Sequence, residues 1–383
     1  MTQLLEAIFG GLSVGSVLLL AALGLAIAFG LMGVINLAHG EFMMLGAYTT
    51  FVVQNVFKKT PLAEGYIFIA LIAAFIVTAL LGVLLERSVV RYLYGRPLET
   101  LLATWGVSLI LQQFVRSVSW QLVAGILVFC GLFFGAWWVL SKRADFYRIR
   151  NWAVTILFFL SALIAIVFSS LLGQAFKLAV TKPWFGTQGV DVTAPKWLRG
   201  GLPIGDYQLP YTRLFIIVLT ALCVLGVYWF LNKTAWGLRI RAVTQNRNMS
   251  ACLGIPTKTV DALTFAIGSG LAGVAGVAVS LLGSVSSNTG QAYIVDAFMV
   301  VVVGGVGKLV GSIVAAGAIG TTSYIIGSNA FGPLVSFSPF LKSFFEFFAT
   351  ASMAKVMVFA LIILFLQFKP AGLFPQKGRT VDA

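Results

Sequence analysis

Residues 7–29, AIFGGLSVGSVLLLAALGLAIAF, form a stretch of 23 positions without a single charge. About 20 apolar residues carry a helix across a bilayer, so this run alone predicts a membrane span. The residues before it, Met1-Thr2-Gln3-Leu4-Leu5-Glu6, lack the basic region of a cleaved leader, and the run continues without a small-residue processing site. It reads as a retained first span. Further apolar segments lie near 40–57, 65–86, 101–117, 121–141, 152–173, 213–231, 261–283, 291–307, 309–328 and 355–368. Together they make about eleven hydrophobic segments, of which roughly 8 to 11 are expected to be true spans. Those near 40, 101, 291 and 355 are short. Some of them are expected to be tilted, broken or re-entrant, which is tolerated only where protein or a water-filled cavity covers the backbone. The predicted fold is an all-α polytopic membrane protein.

Composition agrees. Of 383 residues 59% are hydrophobic and only 10% charged, against roughly a quarter charged in globular proteins. So few charges cannot cover a water-soluble body of this size, and a separate catalytic head is not expected. The balance of 26 Lys and Arg against 12 Asp and Glu gives +14. In a soluble chain that excess would point to nucleic acid; here basic loops on one side of a membrane explain it. If the segments alternate, sixteen cations fall on one side: Arg87, Arg91, Arg96, Lys142, Arg143, Arg148, Arg150, Lys233, Arg239, Arg241, Arg247, Lys258, Lys308, Lys369, Lys377 and Arg379. The other side holds ten, half of them between residues 174 and 213, in a long loop of the kind whose charges count least. The first set is therefore expected in the cytoplasm, with the N-terminus outside and the C-terminus inside. Cys130, Cys223 and Cys252 are far apart and outline neither a disulfide framework nor a zinc site.

Two outer stretches stand out. Residues 174–212 carry Pro183, Pro195, Pro203 and Pro210 among five glycines, a composition that resists long helices, and are expected to form an irregular external cap, either a passive connection or a gate or docking surface. Residues 329–354, rich in Phe, fit an interfacial helix.

Three constellations carry the chemistry. Gly33-Val34-Ile35-Asn36-Leu37-Ala38-His39-Gly40-Glu41 holds the chain's one histidine. Asn36, His39 and Glu41 near membrane depth must pair with one another or line a polar cavity, so they either tie the second helix to a neighbour or form part of a path or gate, with Gln291 and Asp296 as further path candidates. One histidine and one glutamate without matched ligands make a poor metal site. The run from Thr234 to Pro256 is polar, basic and helix-compatible, closing on the stop signal Gly254 and Pro256. Its ordered length exceeds what a positive-inside loop needs. The glycine series Gly268, Gly270, Gly273, Gly304, Gly305 and Gly307 suits close helix packing. Gly304-Gly305-Val306-Gly307-Lys308 lacks the spacing and following hydroxyl of a phosphate-binding loop, so the chain is not expected to hydrolyse ATP.

Gly24 to Glu41, Leu45-Gly46-Ala47-Tyr48, Tyr94 to Gly106, Arg239 to Pro256, Gly268 to Gly276, Asp296 to Gly307 and Lys369-Pro370-Ala371-Gly372-Leu373-Phe374 together resemble the integral-membrane permeases of branched-chain amino acid type ABC importers, most closely their urea-permease branch. The resemblance spans nearly the whole chain, 1–383, as one transmembrane domain. It implies a second related permease subunit, two cytoplasmic ATPase subunits that use ATP and Mg, a periplasmic solute-binding protein, and residence among the lipids of a bacterial inner membrane; it implies no cofactor on this chain and no nucleic-acid partner. Within the cytoplasmic loop 233–258 it marks Gly237, Arg239, Arg241, Ala242, Asn246, Arg247, Leu253, Gly254 and Ile255 as the segment coupling ATPase motion to the helices. Residues 119–182 look like a two-helix insertion relative to shorter members. The expected solute is urea; branched-chain amino acids or short amides, and a standalone channel or facilitator, are the alternatives. An intramembrane enzyme using His39 and Glu41 lacks a nucleophile, metal set or cofactor motif.

Overall fold

The computed structural model describes residues 2–142, 146–176, 181–185, 189–204, 207–328 and 350–374. The Phe-rich stretch over 329–349, and Arg143, Lys177, Lys342, Lys377 and Arg379 of the charge tally, lie outside these residues. Thirteen α-helices occur among the described residues. They are α1 (Thr2–Met32), α2 (His39–Phe57), α3 (Tyr66–Ser88), α4 (Pro97–Ser117), α5 (Trp120–Leu140), α6 (Phe146–Phe176), α7 (Tyr211–Lys233), α8 (Ala235–Gln245), α9 (Arg247–Cys252), α10 (Thr257–Ser280), α11 (Thr289–Gly304), α12 (Leu309–Gly327) and α13 (Ala351–Phe368). Eight are long and apolar enough to cross a membrane, while α11 and the Met353–Phe368 part of α13 are shorter apolar helices. The chain is an all-α polytopic membrane protein.

The chain groups into two compact units, Met1–Leu109 with Asp191–Ala383, and Ile110–Val190. The smaller contains the expected insertion 119–182. In it α5 and α6 pack along one another, with Gly125 set against Ser169 and the Ser169 hydroxyl donating to the Gln121 carbonyl at 3.2 Å. No residue of α5 is buried, and its outer apolar side chains suit lipid.

The larger unit is organised around α1 and α10, whose apolar windows are 83% and 89% buried. A helix that is apolar all round needs apolar neighbours all round, and these two receive them: α10 packs on α1, α2 and α3, and α1 on α10, α11, α12 and α7. Small residues set the separation. A Cβ on Gly268 would lie 2.8 Å from the Gly24 carbonyl oxygen, and one on Gly15 2.8 Å from that of Ala316. Buried hydroxyls return their protons to the preceding turn, as Thr78 does to Ala74 at 2.7 Å and Thr264 to Val260 at 2.7 Å.

The unit has two polar ends. Where α3 begins and α10 stops, the Tyr66 hydroxyl donates to the Thr193 carbonyl at 2.8 Å, Lys196 pairs with Glu64 at 3.3 Å, and Leu198 packs with Ile67, Val277 and Leu281. Part of the expected irregular cap is a two-stranded antiparallel hairpin, β1 (Gly201–Ile204) and β2 (Tyr207–Pro210), paired from Gly201↔Pro210 to Ile204↔Tyr207. The composition there was read only as resisting long helices. A two-stranded ribbon has open edges, however, and Pro203 and Pro210 leave its pairing intact. The opposite end, where α3 stops and α10 begins, carries α8 and α9.

Candidate functional site

The run 234–256 folds as a two-helix elbow whose stops and starts are written locally. Thr234 Oγ1 accepts the Gly237 N–H at 3.0 Å to open α8, and Asn246 Oδ1 accepts the Met249 N–H at 2.9 Å to open α9. The Asn246 N–H meanwhile donates to the Ala242 carbonyl at 3.1 Å, so one residue closes the first helix and caps the second. Gly254, at φ +80°, turns the chain out of α9, and the Ile255 N–H donates to the Ser250 carbonyl at 3.1 Å. Gly237 seats α8 on the end of α7, since a Cβ there would collide with the Phe230 and Leu231 carbonyls. Arg239 lies over the Trp236 ring at 4.8 Å, and Arg241 donates to Asn232 Oδ1 at 3.4 Å.

One side chain fastens the elbow to the helices. The Arg247 guanidinium donates to Asp261 Oδ2 at 2.5 Å and lies 4.6 Å over the Tyr94 ring. The Tyr94 hydroxyl donates to Glu86 Oε1 at 3.4 Å, and Arg91 pairs with the other Glu86 oxygen at 3.3 Å. Burial, reinforced by the Asp261 and Glu86 carboxylates, pushes the Tyr94 phenol far above its ordinary range, so it stays a donor. Asp261 and Glu86 are buried, and each carboxylate has a cation as its partner, the condition for keeping such a group inside. Leu238, Met249 and Leu253 remain exposed on the elbow. Of the residues marked for coupling, Gly237, Asn246, Gly254 and Ile255 build the backbone, Ala242 supplies a carbonyl, Arg247 makes the clamp, and Arg239, Arg241 and Leu253 face outward. Sequence reasoning missed Tyr94 and Glu86; an acid among apolar residues near the end of α3 was the available signal.

Asn36, His39 and Glu41 form a second group at the break between α1 and α2, all at most 2% exposed. Asn36 Oδ1 accepts the Ala38 N–H at 3.1 Å, His39 Nε2 lies 3.1 Å from the Ala21 carbonyl, and Glu41 Oε1 accepts the Ser108 hydroxyl at 3.0 Å. Thr104 Oγ1 accepts the Leu37 N–H at 3.1 Å. Glu41 Oε2 is buried and finds no hydrogen-bond partner among the described residues. Ser108 and Thr104 of α4 were not anticipated. Within this geometry His39 fastens α2 to α1 and Glu41 fastens it to α4, while Asn36 holds the turn between the first two helices.

Asp296 and Gln291 are elsewhere. Asp296 Oδ2 accepts from Lys355 Nζ at 2.8 Å, on the wall of a cavity of about 140 Å³ between α1, α11, α12 and α13. A second cavity, about 340 Å³, shares Leu282 and Tyr293 with the first and is lined by Ser284, Ser286, Asn288 and Thr289. Gln291 is exposed and lines neither. Lys355 was missed as a site residue, although a single cation opening an apolar run signals a need for a buried partner.

The glycines marked for packing lie at close approaches. Gly268 meets Gly24, Gly270 the Phe75 ring, Gly273 the Ala74 carbonyl and Thr78, and Gly304 the Gly311 backbone. Gly305, at φ +99°, sits against Phe374, and Gly307 against Gly30.

Apolar spanning helices around an internal cavity, with an ordered basic elbow at one end, define a polytopic membrane protein of the transport type. The chain belongs to the branched-chain amino acid transport system / permease component family, whose pattern matches residues 7–366. It is 25% identical to the high-affinity branched-chain amino acid transport system permease protein BraD of Pseudomonas aeruginosa, over 96% of this chain and 95% of that one. It is 25% identical to the corresponding permease protein LivH of Escherichia coli, over 96% and 94%. A shorter match, 32% identical over 33% of this chain and 38% of the other, is to the autoinducer 2 import system permease protein LsrC of Salmonella paratyphi B. No solved structure matches the chain. The resemblance to permeases thus holds at family level. The names of these relatives carry branched-chain amino acids and autoinducer 2, and lend the urea expectation no support.

Proposed function

We propose that the chain is the membrane-spanning permease subunit of an ATP-driven importer of branched-chain amino acids, working beside a second related permease, two cytoplasmic ATPase subunits and a periplasmic solute-binding protein. ATP and Mg belong to the ATPases. The observation that carries this reading is the elbow Ala235–Cys252, held to α10 by Arg247 and Asp261 while Arg239, Arg241 and Leu253 face outward. A basic loop needs no caps and no clamp; a lever does. Force applied to the outward side chains passes through the Arg247–Asp261 pair into α10, one of the two most buried helices, and biases the bundle between outward and inward access. The elbow end is the cytoplasmic one, which puts the N-terminus outside and the C-terminus inside.

Branched-chain amino acids replace urea as the proposed solute because permeases matching this chain nearly end to end are named for them. The test is uptake into proteoliposomes holding the complete complex, with labelled leucine and labelled urea as parallel substrates. Leucine accumulation that requires ATP inside and binding protein outside is the expected result. Accumulation of urea but not leucine overturns the solute, and equal leucine uptake by this chain alone overturns the importer.

A further inference from the structure

The elbow accounts for two buried carboxylates, Asp261 and Glu86; a third, Asp296, pairs with the half-exposed Lys355 and takes no part in it. Asp296 sits halfway along α11, 8% exposed, and its partner comes from the start of α13. A carboxylate drawn in between apolar helices carries a desolvation cost that an apolar side chain avoids, and ionisable groups at membrane depth mark solute or ion paths by default. The pair also stands on a cavity wall. Apart from Tyr293 and Ser323 the remaining wall is apolar, with Val17, Leu18, Met299, Ile319, Val358 and Phe359 among its residues, and about 140 Å³ is close to the roughly 150 Å³ that accepts a benzene-sized ligand. Neither charged group is saturated by the pair. An ammonium carries three donors and a carboxylate two acceptor oxygens, and the described contact uses one of each. A small molecule bearing both charges next to an aliphatic side chain matches this wall; a neutral solute has no use for the charges.

We propose that the Asp296–Lys355 cavity is a binding station for a zwitterionic α-amino acid with a short aliphatic side chain. The ammonium meets Asp296, the carboxylate meets Lys355, and the side chain lies against the apolar wall. The adjoining cavity, with the hydroxyls of Ser284, Ser286 and Thr289 and the amide of Asn288, is the polar mouth through which the solute enters. This deepens the amino-acid reading above and rests on it.

The experiment uses the complete importer in nanodiscs without its solute-binding protein and measures equilibrium binding of labelled leucine, with 3-methylbutylamine and 4-methylpentanoate as one-charge competitors. Saturable binding is expected, displaced weakly by either competitor. Asp296→Asn and Lys355→Met are expected to weaken it by about tenfold or more, the scale of one charged hydrogen bond, while Lys355→Arg retains it. Val358→Phe leaves both charges in place and fills the cavity, so it is expected to abolish binding even if the charge variants assemble poorly. Absence of leucine binding to the parent complex, or binding as tight as the parent's by the Val358→Phe and Lys355→Met variants, overturns the station. If the parent complex still imports leucine in the presence of its binding protein, the amino-acid reading survives that failure. If it imports urea and not leucine, both fall.

Discussion

At the scale of single residues, the packing of the buried helices turns on side chains that are absent. A Cβ on Gly268 would lie 2.8 Å from the Gly24 carbonyl oxygen, and backbone there has no room to retreat because α1 and α10 are enclosed. Gly268→Val is therefore expected to cost about 1–3 kcal/mol, the range for overpacking, read as a lowered midpoint of thermal unfolding in detergent. Gly226 offers the contrast: it is exposed on α7, and a Cβ there would meet nothing within 4 Å. Gly226→Ala is expected to leave that midpoint unchanged or raise it, by up to about 1 kcal/mol of helix propensity. Polar burial makes a separate case. Ser108 is the hydrogen-bond donor to Glu41, whose other oxygen has no partner among the described residues. Ser108→Ala leaves the whole carboxylate without a side-chain donor and is expected to destabilise by about 1–3 kcal/mol; an unmoved midpoint would show that water fills the gap.

At the scale of elements, the elbow was partly legible. Thr234 and Asn246 are N-cap residues at helix spacing, and Gly254-Ile255-Pro256 is a stop, so an ordered pair of short helices follows from local chemistry. Asp261 stood out in the sequence as an ionisable group beside a span that needs a partner, but the sequence did not name Arg247 as that partner. Asp261 lies 14 positions beyond Arg247, and nothing local joins them. Asp261→Asn is expected to lower the number of leucines imported per ATP hydrolysed, because motion of the elbow no longer reaches α10. The exchange of Arg247→Asp with Asp261→Arg should restore part of that ratio; a ratio unchanged by Asp261→Asn would show that the clamp carries no force. Reversing the outward cations, Arg239→Glu with Arg241→Glu, is expected to abolish ATP-driven uptake while the chain still reaches the membrane. A facilitator would be nearly indifferent to that change. The hairpin Gly201–Pro210 was not legible, since its pairing depends on where α7 and the start of α3 hold the segment.

For the whole molecule, charge asymmetry sets an orientation that a single thiol can report. Cys252 is exposed on the basic elbow, whereas Cys130 and Cys223 are half-buried in apolar helices. A membrane-impermeant maleimide is expected to label Cys252 in inverted vesicles and to leave it unlabelled in spheroplasts, with Cys252→Ser as the control. Labelling in spheroplasts alone would place the elbow outside and remove the proposed ATPases from reach. The same two-ended layout sets the hydroxyl-lined mouth directly after α10, at the end opposite the elbow. Under the proposed reading, solute is received at one end and force at the other.

The sequence by itself determined the material and the membrane. Apolar runs of about twenty residues leave the backbone no alternative to the helix where water is withheld, and scattered cations sort the loops. It also marked the polar groups that needed partners, without naming them. Which group met which was decided by the tertiary structure: Glu41 with Ser108 across 67 positions and Asp296 with Lys355 across 59. The reason is physical. A helix apolar on every side carries no stripe to say which way it faces, so its neighbours are chosen by the fit of small residues and the few buried charges, and that choice exists only once the helices have packed.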